Sequence, residues 1–197
     1  MKKGTITIIA IVAVVAIIVL WGIRVNNKLV TSDENVQKAW AQVENVYKRR
    51  ADLIPQLVAT VQGAANFEKG TLTEVIQARA GVDNAKVDPS QLTEEQVAAY
   101  QKAQDNLGKA LANTIKVTVE RYPELTATQG FRDLQVQLEG TENRINEARN
   151  SFNSAVEDYN VKIRKFPNSL LAGIFGFDKK SKFEADANAQ NAPQVKF

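Results

Sequence analysis

The stretch VQKAWAQVENVYKRRADLIPQLVATVQGA, from Val36 to Ala64, sets the fold. Val36, Trp40, Val43, Tyr47, then Ile54, Leu57, Val61 and Ala64 recur at alternating spacings of four and three. That is the apolar seam of a helix packed in coiled-coil fashion. Arg50 occupies the seam slot between Tyr47 and Ile54, a charge in an apolar stripe. Pro55 removes a backbone donor inside the pattern, so a kink is expected there.

Towards the N-terminus, Ile6 to Ile23 is almost wholly apolar, broken only by Thr7 and Gly22. As a helix it would reach roughly 27 Å, close to the hydrocarbon thickness of a bilayer. Its lipid-facing members are taken as Ile6, Ile9, Val12, Val15, Ile18, Leu20, Trp21 and Ile23, with Trp21 as an interfacial aromatic and Arg24 and Lys28 as headgroup anchors. A cleaved signal peptide would need a shorter apolar core and a small-residue cleavage site, and neither is present. Residues 1–25 therefore read as a retained single-pass anchor. Lys2 and Lys3 favour a cytoplasmic N-terminus and an extracytoplasmic remainder at a bacterial inner membrane, although Arg24, Lys28 and Lys38 weaken the bias.

Towards the C-terminus, Thr71 and Glu74 suggest a capping box opening a short helix that runs to about Val82. Asp88-Pro89-Ser90 marks a turn, and Thr93 with Gln96 starts a helix stopped near Arg121 by Tyr122-Pro123. Thr128 caps the last long helix, whose seam is Phe131, Leu134, Leu138, Thr141, Ile145, Ala148, Phe152, Ala155 and Tyr159, ended by Phe166-Pro167. The fold class is all-α: the anchor, then an antiparallel bundle over residues 26–167 of four helices, or of three longer ones. Residues 168–197 form an apolar segment and a mobile polar tail. Ser169–Phe177 either folds back over the open end of the bundle, the reading preferred, or lies on the lipid with its following lysines on phosphate.

Composition removes whole classes of function. The 197 residues contain no histidine and no cysteine. That excludes disulfides, the commonest general base, and the Glu-x-x-His pairs of a di-iron bundle. The 25 basic and 22 acidic residues are interspersed, which is a solvated helical surface and not a nucleic-acid footprint. No phosphate-binding glycine loop or serine-nucleophile motif is present. No catalytic, metal or cofactor-binding residue is assigned, and no cofactor is expected. Arg50, if buried, needs a carboxylate, for which Glu139 and Glu142 are the candidates; otherwise its head reaches round the helix edge into water.

Several of these stretches carry a resemblance. Val36-x-x-x-Trp40-Ala-Gln-Val with Arg49-Arg50-Ala-Asp52-Leu-Ile-Pro55 is similar to the first-helix motif of the LemA family. Ala78-Arg79 and Tyr122-Pro123-Glu-Leu-Thr-Ala fit its middle. Leu138-Glu139-Gly-Thr-Glu142-Asn-Arg144-Ile, Ala148-Arg149, Tyr159-Asn160 and Phe166-Pro167 fit its last helix. The resemblance implies a helical bundle on one membrane anchor, with no established enzymatic activity. One relative takes part in magnetosome membrane formation, which points to membrane organisation. Many members have Asn where Gln56 stands, and Tyr and His where Ala64 and Phe67 stand, so no role of that histidine operates here. Trp40, Arg49, Arg50, Asp52, Pro55, Tyr122, Pro123, Glu139, Glu142, Arg144, Tyr159 and Asn160 are expected to be structural. The expected partners are the bilayer, further copies of the chain, and other membrane proteins. A self-associating scaffold is the leading reading. An adaptor or regulator of a membrane enzyme such as a protease, and a carboxylate-based hydrolase, are the alternatives.

Overall fold

The computed structural model describes residues 3–63 and 69–184, all helix, turn and loop. The helices are α1 Lys3–Asp52, α2 Ile54–Val61, α3 Lys69–Asn84, α4 Glu94–Arg121, α5 Pro123–Thr126, α6 Gln129–Arg164 and α7 Asn168–Phe175. The apolar N-terminal run and the first seam form one uninterrupted helix. No residue of Gly4–Leu20 is buried, whereas burial begins at Val25 and continues through Leu29, Ser32, Val36, Trp40, Val43, Tyr47 and Arg50. The seam thus starts well before Val36, where the sequence reading opened it. Ser32 had hidden the earlier turns, and its hydroxyl accepts from Lys162 Nζ at 3.1 Å.

The expected kink lies at Leu53, where α1 stops and α2 begins with Pro55 in its first turn. The Leu53 N–H donates to Arg50 O at 3.2 Å, a tighter turn that accommodates the missing proline donor. Thr93 accepts from Gln96 N at 3.4 Å and Thr128 from Phe131 N at 3.3 Å, so both expected N-caps form. Thr71 is not a cap: the described part of α3 already includes it, and its side chain is buried. Tyr122-Pro123 breaks the chain into the single turn α5 before α6 starts. Ala64 and Phe67 lie outside the described residues, as do Lys2 and the tail 185–197.

α6 packs along α1 with its C-terminal end beside Leu29 and Ser32, and α4 packs on α3. The core comprises two apolar clusters. The one nearer the uncovered part of α1 holds the rings of Trp40, Tyr47, Tyr100, Phe152, Tyr159 and Phe183 among aliphatic side chains, and is called the aromatic cluster below. Trp40 meets Tyr100 and Phe152 at 5.2 Å between ring centroids and stacks on Phe183 at 5.7 Å. The distal cluster is aliphatic: Leu53, Ile54, Leu57, Val61, Leu72, Val75, Leu107, Leu111, Leu125 and Leu134. Rings pack between α1, α4 and α6, and branched chains pack where α2 and α3 close the far end.

Candidate functional site

Between the two clusters lies a polar layer. Arg50 is 5% exposed. Its Nη2 donates to Gln104 O and Gln104 Oε1, both at 2.7 Å, and its Nη1 reaches Glu142 Oε2 at 3.3 Å. The Glu142 side chain is 53% exposed, so water screens this ion pair and the two Gln104 bonds carry most of the anchoring. The guanidinium also stands 5.0 Å from the Tyr47 ring centroid. Gly108, one turn beyond Gln104, makes the room: a Cβ there would sit 3.2 Å from Arg50 Nη1. Of the two carboxylates singled out for Arg50, Glu142 is the partner, while Glu139 is exposed and accepts from Gln135 instead.

A second constellation gathers around the chain after α7. Residues 178–184 run extended across the aromatic cluster, and amide side chains on α4 and α6 satisfy their backbone. Asn160 donates to Lys180 O at 2.8 Å and accepts from Lys180 N at 3.0 Å. Asn153 does the same with Phe183 at 3.1 and 2.9 Å, and Gln101 with Glu184 at 3.1 and 3.0 Å. Each amide thus replaces a neighbouring strand. Tyr159 donates to Asp178 O at 2.9 Å, and Ser181 N donates to Leu92 O at 3.0 Å. Leu92 is fully buried at φ +47, a left-handed conformation that costs a leucine on the order of 1–3 kcal/mol. Two side chains of this strap go inward. Phe183 fills the space against Trp40 and Phe152, under the Arg149 guanidinium at 4.9 Å. Lys180, 3% exposed, has its ammonium 2.6 Å from Asp33 Oδ1 and 2.8 Å from Ser90 O. A buried ammonium requires this arrangement: one carboxylate, plus carbonyls for the remaining protons.

The structural-motif residues divide accordingly. Trp40, Tyr159 and Asn160 meet at the strap, and Arg50 and Glu142 at the polar layer. Arg49, Asp52, Pro55 and Arg144 are exposed, and Tyr122 and Pro123 form the α4–α5 corner. Gln104 was missed in the sequence, although Val97, Tyr100, Gln104, Leu107, Leu111, Thr114 and Thr118 form an α4 seam of the same three–four spacing that marks it as inward-facing. Asn153, Gln101, Lys180 and Phe183 had no periodicity to announce them. Among the described residues there is no cluster of three acidic, histidine or cysteine side chains fit for a metal ion.

Apolar surface also remains uncovered among the described residues. Ile6, Ile9, Val12, Val15, Ile18, Leu20 and Ile23 are each more than half exposed, while Trp21 is half-buried against the edge of the core. α7 divides by face. Leu171 and Ala172, with Phe177 just beyond the helix, turn to the core, and Leu170, Ile174 and Phe175 turn out. Ser169–Phe177 therefore only partly covers the bundle end, and the strap beyond it completes the cover. Farther out, α4 and α6 leave a groove of about 570 Å³, with Leu111, Ile115 and Leu138 on its floor. Lys109 and Lys116 lie on one lip, and Glu139 and Glu142 on the other.

Known proteins are similar to this chain. The profile of the LemA family matches residues 39–197. Magnetosome protein MamQ 2 of Paramagnetospirillum magneticum is 28% identical over 90% of this chain and 71% of its own length. Magnetosome protein MamQ of Magnetospirillum gryphiswaldense is 27% identical over 89% of this chain and 70% of its own. Protein LemA of Metamycoplasma hominis is 23% identical over 74% of this chain and 63% of its own. None of these names is that of an enzyme. With most of its length matched by one family profile, and with an all-helical bundle carried on an apolar N-terminal helix, the chain belongs to the LemA family.

Proposed function

We propose that this protein is a non-catalytic scaffold of a bacterial inner membrane, anchored by Ile6–Ile23, with its bundle on the extracytoplasmic side. The observation that carries the reading is the shape of α1. One helix is bare and apolar over Gly4–Leu20, then buried from Val25 onward. A bare apolar helix of that length is at home in lipid, and its continuity fixes the bundle close to the bilayer. The sequence contains no histidine or cysteine, and the buried charged groups, Arg50 and Lys180, are spent on internal bonds. The magnetosome names of the MamQ relatives agree with a role in organising membrane.

Self-association is supported by the groove between α4 and α6. Lys109 and Lys116 stand on the α4 side, with Asp105 already paired to Arg149, and Glu139 and Glu142 stand on the α6 side. A second copy related by a two-fold axis would set each lysine lip against a glutamate lip, over an apolar floor. Native mass in mild detergent tests this. The intact chain is expected above monomer mass, Lys116→Glu should lower that mass, and adding Glu139→Lys should restore it. A monomer that brings down one partner protein would favour the adaptor reading instead.

A further inference from the structure

The position of α7 relative to the apolar run of α1 shows how deep it lies. Leu171 Cδ1 stands 4.0 Å from where a Cβ on Gly22 would be. Leu171 and Phe175 form a shallow groove with Ile18, Val19, Gly22, Ile23 and Asn26. Ile18 is five residues below Ile23, about 7.5 Å along the helix axis. If Ile23 marks the edge of the hydrocarbon, the groove that Leu171 and Phe175 share with α1 reaches inside it, down to Ile18. The outward face of α7 suits that depth: Leu170 is 61% exposed, Ile174 74% and Phe175 46%, and Asn168–Phe175 carries no charge.

The flanks suit it as well. Arg24, Lys28, Lys162, Arg164 and Lys165 surround this level, and residues 20–32 and 162–177 contain no acidic side chain. Phe166, 81% exposed, precedes the helix. Gly176, at φ +75, turns the chain back, and the strap then returns it to the bundle through Tyr159, Asn160 and Asp33. The chain thus makes a dip that is basic on entry, apolar at the tip and tied down on exit.

We propose that Phe166–Phe177 is a second membrane-inserted element, lying among the acyl chains of the bundle-side leaflet beneath anionic phospholipid headgroups. The inference rests on Ile6–Ile23 spanning the bilayer. Lipid is the occupant because the apolar face of α7 is continuous with the lipid-facing side of α1 and at the same level. The bundle-side leaflet then holds two helices where the opposite leaflet holds one, which gives the molecule the cross-section of a wedge.

The absence of cysteine makes the test clean. Ile174→Cys, Val12→Cys and Val136→Cys are each made in the full chain and labelled with an environment-sensitive fluorophore. They are reconstituted in vesicles of mixed zwitterionic and anionic phospholipid, some bearing a nitroxide on the acyl chain. Val136, exposed on the far part of α6, reports water. The label at Ile174 should be quenched several-fold more than that at Val136, and most by nitroxides placed high on the chain. Quenching at Val12 with an Ile174 signal matching Val136 overturns the inserted α7 and leaves the anchor standing. No quenching at Val12 overturns the anchor, and the inference with it.

Discussion

Arg50 sits where a seam residue should be apolar, and its surroundings show how that is tolerated. Its hydrogen bonds run to the Gln104 carbonyl and amide oxygens, and Gly108 clears space for the guanidinium. Arg50→Ala should cost about 2–4 kcal/mol, because it opens a void and strands the Gln104 oxygens. Arg50→Met fills the void and should cost less. Glu142→Gln should cost under about 1 kcal/mol, because the carboxylate is half in water. Thermal melts of the three variants in detergent check this order; a Glu142→Gln loss equal to that of Arg50→Ala would contradict it. The sequence announced the anomaly at Arg50 and narrowed its carboxylate partner to two residues three apart on one helix. It could not choose between Glu139 and Glu142, because that choice turns on the rotation of α6 about its axis. Nor did it yield Gln104, since a polar residue on a seam reads as a gap until the facing arginine is known.

At the scale of elements, helix starts and stops were the most legible feature. Thr93, Thr128, Pro55 and Tyr122-Pro123 act by local chemistry that needs no tertiary context, and each marks a boundary. Thr71 misled because a threonine followed three residues later by a glutamate also occurs inside helices, where the hydroxyl faces the core. The strap escaped notice for a different reason. An extended segment held by side-chain amides has neither helical nor strand periodicity, and a lone phenylalanine among lysines looks like tail. Its contribution to the fold can be measured. Phe183 touches both Trp40 and Phe152, and Phe183→Ala should destabilise by about 3–4 kcal/mol through the cavity it leaves. Hydrogen exchange should then accelerate at the Lys180 and Phe183 amides, whose acceptors are Asn160 and Asn153. If Phe183→Ala melts like the unaltered chain, the strap is an ornament on a bundle that closes without it.

For the whole molecule, the division into a ring-rich cluster beside the apolar N-terminal run and an aliphatic cluster beyond Arg50 has a consequence in pH. Tyr47, Tyr100 and Tyr159 all belong to the aromatic cluster. Burial pushes Tyr100 up to about 12 and Tyr159 to about 12, and it raises Tyr47. A tyrosine of the unfolded chain ionises near 10, so above that pH the unfolded state releases protons that the folded state retains. The stabilisation is therefore complete below pH 10 and declines as pH climbs through the folded value. For Tyr100 the loss is on the order of 2 kcal/mol by pH 12. The slope of the native chain alone mixes the contributions of every group that titrates in this range. Tyr100→Phe separates the contributions. It keeps the ring between Trp40 and Tyr47 and removes the titrating hydroxyl. The melting temperature of the detergent-solubilised chain should fall steeply from pH 10 to 12, and that of Tyr100→Phe should fall visibly less. Parallel curves would mean that the hydroxyl already reaches water in the folded protein, and that the aromatic cluster is more open on the α4 side than its packing shows.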